Sequence, residues 1–431
     1  MIDIKYSTAD EAVQIIKSGE RVFLHGGAAT PLKLINALLN RYNSLENVEL
    51  VSISLNGNID WNRKEVLESF YLNSLFVSEN IRGWANSEYG GFVPIFLSEI
   101  PQLFDNGILP LDVALLHVSP PDQHGYCTLG TSSDVAISAV RNTKKIIAQV
   151  NPKMPSVMGE GFIHVSKFNA MIWEDVELEQ VDYSLKADEE TVKIGYNIAT
   201  LIEDGATLQM GIGAVPDAVL KSLVNHKNLG IHTEMFSDGV IPLVEKGVIT
   251  NANKNVERGK IVCSFVLGTR KVYDFIDNNP LINCMNVDFV NDTSVIRRNP
   301  KVIAINSAIE IDITGQVCAD SIGTMQYSGI GGQMDFMRGA SLSNGGKPII
   351  ALPSTTKGGI SRIVPHLKEG AGVVTTRGNI HYIATEYGVV NLYGKNMQQR
   401  AELLTSIAHP QHREMLEKDY HTRFKRLIKG I

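Results

Sequence analysis

Cysteine is scarce, with four residues in a chain of 431. They stand far apart (Cys127, Cys263, Cys284, Cys318), with no CxxC pair and no zinc-ligand spacing, so neither a disulfide framework nor a zinc site is expected. A reducing, cytoplasmic setting fits that usage. The first twenty residues mix acids into the sequence and lack the basic start and apolar stretch of a secretory signal. No uncharged apolar run approaches the eighteen or so residues that span a bilayer, which argues against a membrane protein. Excess positive charge is missing as well. Forty basic side chains face forty-six acidic ones, a net charge of −6, which argues against nucleic acid as a partner. Several chemical signatures are absent too: there is no GxSxG elbow, no HExxH and no Walker A lysine-serine pair. His409 and His412 are separated by a proline that breaks helical ligand spacing, so no metal is expected there.

What the chain does have is internal similarity. Residues 19–39 read as strand, glycine turn, proline and helix, and residues 205–224 repeat that plan. Residues 112–130 are echoed by 301–323, and 144–155 by 346–359, in the same order in both halves. Apolar runs such as Val22-Phe23-Leu24, Val113-Ala114-Leu115-Leu116 and Ile146-Ile147-Ala148 are continuous rather than alternating. Strands buried on both faces of a parallel sheet read that way. The fold class predicted is α/β, with two similar open α/β domains from a tandem duplication and mainly parallel sheets. The domains are expected at 1–185 and 186–431, because Ala187-Asp188-Glu189-Glu190 places acids where a new helix begins. The tail reads as a helix, a break at Pro410 and a basic final helix.

Three stretches carry candidate chemistry. Glu234 follows an apolar run and precedes Ser237-Asp238-Gly239, so it sits where open α/β sheets build sites, although position alone favours a helix cap or a solvated acid. His232, two residues earlier, would share its face if a strand continued. Gly329-Ile330-Gly331-Gly332 is a turn able to bring backbone N–H groups close to an anion, or simply a tight turn. The segment Gly211-Ile212-Gly213-Ala214-Val215-Pro216 has proline where a dinucleotide fingerprint needs its last glycine, so a Rossmann reading is rejected and the loop is kept as a cofactor contact. Lys357, in a Gly-rich turn, could meet a phosphate.

With HTEMFSDG (232–239), GIGAVP (211–216), NSAIEIDITGQV (306–317), SGIGGQMDF (328–336) and KGGISRIVP (357–365), the chain resembles the acetyl-CoA hydrolase/transferase family. Within it, the likeness is greatest to 4-hydroxybutyrate and butyryl-CoA:acetate CoA-transferases. The resemblance spans nearly the whole chain. It implies a CoA-transferase that moves CoA between a short-chain acyl-CoA and an acid such as acetate, with Glu234 as nucleophile and a glutamyl-CoA thioester between two ping-pong halves. It implies an oxyanion donor at Gly332 and, by a looser match, a polar active-site group at Asn291. It further implies CoA contacts at Gly211, Ile212, Gly213, Ala214, Val215, Ile309, Gly332 and Lys357. Acyl-CoA and short carboxylic acids are then the partners, CoA is a substrate and no permanent cofactor is needed. A homodimer or homotetramer is expected. An acetyl-CoA hydrolase using the same glutamate is the alternative, since water reaching the acyl-enzyme would turn transfer into hydrolysis. A non-catalytic acyl-CoA binder is disfavoured because both the glutamate and the GIGG turn are present. Composition names no residue that would tell butyrate from 4-hydroxybutyrate; His25 and Gln209 are the nearest guesses.

Overall fold

The computed structural model describes residues 4–183, 185, 188–211 and 213–424. Seven strands build a first sheet: β1 (Arg21–Leu24), β2 (Val48–Ser52), β3 (Phe70–Ser74), β4 (Gly90–Phe92), β5 (Leu111–Val118), β6 (Thr143–Val150) and β7 (Ala170–Trp173). Their spatial order is β4-β3-β2-β1-β5-β6-β7, and every pairing is parallel. The second sheet holds β8 (Thr207–Met210), β9 (Gly230–Ile231), β10 (Val302–Ser307), β11 (Lys347–Ala351), β12 (Tyr382–Thr385) and β13 (Gly388–Asn391). Its order is β9-β8-β10-β11-β12-β13, parallel except for the final antiparallel pair. The run β2-β1-β5-β6-β7 therefore matches β9-β8-β10-β11-β12 strand for strand. The three pairs of similar segments fall on β1 and β8, on β5 and β10, and on β6 and β11. The duplication read in the sequence is thus a duplication of topology.

The continuous apolar runs form the strands because helices cover both faces of each sheet. Phe23, Leu24, Leu115 and Leu116 are wholly buried. Helix Leu32–Leu39 turns Leu34, Ile35, Leu38 and Leu39 into the first core. In the second half, helix Glu189–Ala199 starts at Asp188, whose side chain accepts from the Thr191 N–H at 2.9 Å. That cap satisfies one of the four N–H groups that a helix start leaves open. Helix Pro410–Phe424 closes the described chain. All four cysteines are buried free thiols. Among the described residues no helix is long and apolar enough to cross a membrane.

Between β9 and β10 the chain makes an excursion that ties the halves together. It contains short parallel pairs, Met235–Phe236 with Phe265–Val266 and Ile261–Cys263 with Ile282–Cys284. The Val266 N–H donates to the Thr131 carbonyl at 2.7 Å, and the Asp134 N–H to the Ser264 carbonyl at 3.0 Å. The Cys284 N–H donates to the Met158 carbonyl at 2.8 Å, while the Glu160 N–H reaches the Cys284 carbonyl at 3.1 Å. Gly159, between these last two, has φ +137, and an added Cβ would lie 1.9 Å from the Cys284 oxygen. Gly159→Ala is therefore expected to lower stability by about 3 kcal/mol, through strain and lost cross-half hydrogen bonds. A denaturant midpoint unchanged from the parent would show that this seam yields easily.

Candidate active site

The C-terminal ends of β1 to β4 open into one cavity. Ile53 and Ser54 follow β2, Leu75 and Phe76 follow β3, Ile95 and Leu97 follow β4, and Gly27 lies beyond β1. Parallel sheets build their sites at this edge. The second half supplies Glu234, Phe265, Leu267 and Gly331, and Ile100 and Asp134 line it as well. The walls are largely aliphatic and aromatic, and among the described residues no lysine or arginine lines them. Ser54 and Asn56 also line this space, and among the described residues no side-chain hydrogen bond engages either of them.

Glu234 is fixed on three sides. Its carbonyl accepts from the Ser264 N–H (2.9 Å), the Phe265 N–H (3.0 Å) and the Ser264 hydroxyl (3.0 Å). The Thr233 hydroxyl donates to the Met210 carbonyl at 3.2 Å, tying the preceding residue to the end of β8. At the carboxylate, Asn291 Nδ2 donates to Oε2 at 3.0 Å. Asn291 is fully buried at the end of helix Val287–Val290. Gly332 closes the third side: a Cβ there would stand 1.8 Å from Glu234 Oε2 and 2.3 Å from Asn291 Nδ2. Gly332 is also the N-cap of helix Gln333–Leu342, so the carboxylate stands close to a helix start. Burial raises the Glu234 carboxyl to about 7; the Asn291 hydrogen bond pulls the other way, and the charges of Asp335 and Asp134 add to the rise.

The glycines of the GIGG turn have separate reasons. An added Cβ at Gly329 would meet the Phe76 ring at 2.7 Å, and one at Gly331 would meet it at 3.1 Å. Phe76 belongs to the first half, so these two glycines let the halves approach, while Gly332 makes room for the carboxylate. The Leu97 N–H adds a bond to the Gly331 carbonyl at 3.0 Å.

Glu234, Asn291 and Gly332 thus come together, although 57 residues separate the first two in sequence. Of the proposed CoA-contacting residues, Gly332 is in this cluster and the others that the structure describes lie elsewhere along the second sheet's edge. Gly211 follows β8 and donates to the Ile305 carbonyl at 2.9 Å; Gly213, with φ +125, caps helix Ala214–Ser222, whose first turn holds Ala214 and Val215. Ile212 lies outside the described residues. Ile309 lines a second cleft with Tyr327, Thr356, Ile360, Arg362 and Lys368, and the exposed Lys357 adjoins it next to Thr356. Sequence reading missed Arg362, whose guanidinium reaches the Ala308 and Ile309 carbonyls at 3.3 and 3.4 Å and brings a cation to that cleft. It also missed Asp335 and Ser98, described below.

His232 serves packing rather than the reaction. The strand ends at Ile231, and the His232 ring is buried with Nε2 2.8 Å from the Val290 carbonyl. His25 and Gln209 serve the frame as well: His25 Nε2 lies 2.6 Å from the Ser132 carbonyl, and Gln209 accepts from Asn306 at 3.0 Å. The rings of His409 and His412 are 6.0 Å apart, and His412 Nε2 is 2.8 Å from the Gly359 carbonyl.

Two similar open α/β halves with a buried glutamate at their junction define a fold of the CoA-transferase type. The acetyl-CoA hydrolase/transferase N-terminal domain model matches residues 3–195, and the C-terminal domain model matches residues 268–420. The chain belongs to the acetyl-CoA hydrolase/transferase family. It is 52% identical to a succinyl-CoA:acetate/propanoyl-CoA:succinate CoA transferase of Fasciola hepatica, over 97% of this chain and 88% of that protein. It is 46% identical to the 4-hydroxybutyrate coenzyme A transferase of Clostridium kluyveri, over 97% and 98%. Among solved structures, 4-hydroxybutyrate CoA-transferase from Porphyromonas gingivalis superposes with a TM-score of 0.84 at 38% identity, covering 97% of this chain and 98% of that one. RipA from Yersinia pestis superposes with a TM-score of 0.91 at 34% identity, covering 97% of each chain.

Proposed function

We propose that this protein transfers CoA between a short-chain acyl-CoA and a small carboxylic acid, with Glu234 as the nucleophile. One observation carries the reading: the Glu234 carboxylate, held by Asn291 and flush against Gly332, stands at the wall of an apolar cavity between the halves. A carboxylate oxygen attacks the thioester carbonyl, the C–S bond breaks, and a mixed anhydride and CoA thiolate result. The thiolate then attacks the glutamyl carbonyl, expelling the free acid and leaving a glutamyl-CoA thioester. An acceptor carboxylate runs the two steps in reverse. One thioester replaces another, so no phosphoryl donor is required.

A carboxylate is a modest nucleophile, and most of the acceleration must come from stabilising the tetrahedral oxyanions. Gly332 and the helix start behind it are the donors proposed for that task. The loop 211–215 and the cleft holding Ile309, Arg362 and Lys357 are proposed to hold CoA. The apolar cavity is proposed to hold the acyl chain and to keep water from the anhydride, which favours transfer over hydrolysis. A chain ending in a second carboxylate would enter that cavity without a counter-charge and beside Asp134, at considerable cost. Ser54 and Asn56, which line the cavity, are proposed to meet a hydroxyl there. Acetyl, butyryl and 4-hydroxybutyryl chains are therefore the proposed substrates.

Incubation with butyryl-CoA and no acceptor acid tests the proposal. Intact-mass spectrometry is expected to show a CoA-sized adduct, and borohydride followed by peptide mapping is expected to place it at Glu234. Butyryl-CoA is expected to exceed succinyl-CoA in kcat/KM by about 100-fold, the price of an unpaired buried charge. Steady release of CoA with no adduct would replace transfer by hydrolysis, and equal use of succinyl-CoA would remove the acyl chain from this cavity.

A further inference from the structure

Asp335 is a second buried carboxylate next to Glu234, and the reaction as written gives it no part. It lies in the first turn of helix Gln333–Leu342, where an acid ordinarily faces solvent, yet it is 5% exposed. Asn291 Nδ2, the same nitrogen that donates to Glu234 Oε2 at 3.0 Å, is 3.3 Å from Asp335 Oδ2. Ser98, from the first half, holds the other side. Its hydroxyl donates to Asp335 Oδ1 at 2.8 Å and its N–H to Oδ2 at 3.2 Å.

We propose that Asp335 is a positioning residue for CoA transfer, clamping the Asn291 amide across the Glu234 carboxylate and setting through its own charge how readily Glu234 ionises. The proposal rests on the reading of Glu234 as nucleophile. The clamp follows from the donor inventory. An amide nitrogen carries two protons, and here each meets a carboxylate oxygen. Asn291 Oδ1 is buried with no partner, so both carboxylates together hold the amide in this orientation. A turned amide would set its oxygen against two carboxyl oxygens and lose both hydrogen bonds.

The charge coupling follows from the same geometry. Two carboxylates bridged by one amide repel when both are ionised, so their titrations belong to the pair. Burial raises Asp335 to about 7, against the hydrogen bonds of Ser98 and Asn291, and Glu99 raises it further. The other charged groups on this side are Asp288, Asp292 and Arg338, which line an open cleft with Ser98 and Asp335. That cleft gives Asp335 a route for its proton to solvent. An ionised Asp335 makes Glu234 harder to ionise, and a protonated Asp335 relieves that repulsion.

Two variants separate charge from clamp. Asp335→Asn keeps an oxygen facing Asn291 and turns its own amide to the Ser98 hydroxyl, but cannot ionise. Its kcat/KM for butyryl-CoA is expected to retain the plateau within about 10-fold and to move the acid limb down by about one pH unit. Asp335→Leu removes the clamp as well, and its plateau is expected to fall about 100-fold further with KM for butyryl-CoA little changed. An acid limb of Asp335→Asn lying where the parent's lies would overturn the proposal, as would equal plateaus in the two variants. The glutamyl adduct in the parent enzyme is the control. If it forms and the limb does not move, Asp335 alone loses its role; if it never forms on Glu234, the nucleophile reading fails and takes this proposal with it.

Discussion

Glu234→Gln is expected to lower kcat for CoA transfer by at least about 10⁴-fold, the scale seen when a covalent nucleophile is removed. Glutamine keeps the shape and can still meet Asn291 through its oxygen, so the loss would report nucleophilicity rather than collapse of the site. The same substitution should make the protein more stable above neutral pH. The folded-state value of about 7 lies above the unfolded reference of about 4.3. Native protein therefore binds the proton more tightly than unfolded chain. The stabilisation this provides is complete below the unfolded value and is lost as pH rises through about 7. At pH 8 the parent holds an ionised carboxylate in a poor solvent, whereas glutamine carries no such penalty. A gain on the order of 2 kcal/mol is expected there, discounted because water still reaches the cavity mouth. Near pH 4 the parent and variant melting temperatures should converge. A variant that keeps its activity, or one whose stability relative to the parent is the same at pH 4 and pH 8, would contradict the picture of a buried, reactive acid.

Gly332→Ala should act almost as strongly for a different reason. Gly332 has φ −91 and ψ 3, a conformation that alanine adopts freely, so the backbone gives no cause for unfolding. Space is the obstacle. The new methyl would lie 1.8 Å from Glu234 Oε2, and neither the carboxylate nor the Asn291 amide can stay where it is. Displacing the reacting atom by an ångström or so, and with it the approach to the helix-start N–H groups, is expected to cost 10²- to 10³-fold or roughly 3–4 kcal/mol of transition-state stabilisation. Thermal melting should stay within about 1 kcal/mol of the parent, and kcat/KM should carry the effect. Activity within 10-fold of the parent would mean that the carboxylate works from another position.

These two residues mark how far the sequence could be read. The sheets were legible because strands buried on both faces show as unbroken apolar runs, and because the duplicated plan keeps its order. The neighbours of Glu234 were not legible from spacing. Asn291 and Gly332 came from a resemblance, since nothing local in Phe289-Val290-Asn291-Asp292 announces a contact 57 residues back. Asp335 was hidden by its own position, because an acid in a first helical turn already has a sufficient explanation in the helix dipole. Nothing in the sequence marks Ile53, Leu75 or Phe76, because side chains that line a cavity have the same composition as side chains that fill one. His232, two residues before Glu234, is a packing residue, its ring buried against the Val290 carbonyl.

The excursion between β9 and β10 has a consequence for how the molecule is made. Its hydrogen bonds run to residues 131, 134, 158 and 160, all translated long before it. Domains tend to fold in the order in which they leave the ribosome. Residues 261–290 would then settle on an edge already in place, and only afterwards could the chain present Asn291 to Glu234. A second half produced without the first would have no surface on which to shape that stretch, so its glutamate would be present but unaimed. Co-expressed halves should recover activity only to the extent that they dock.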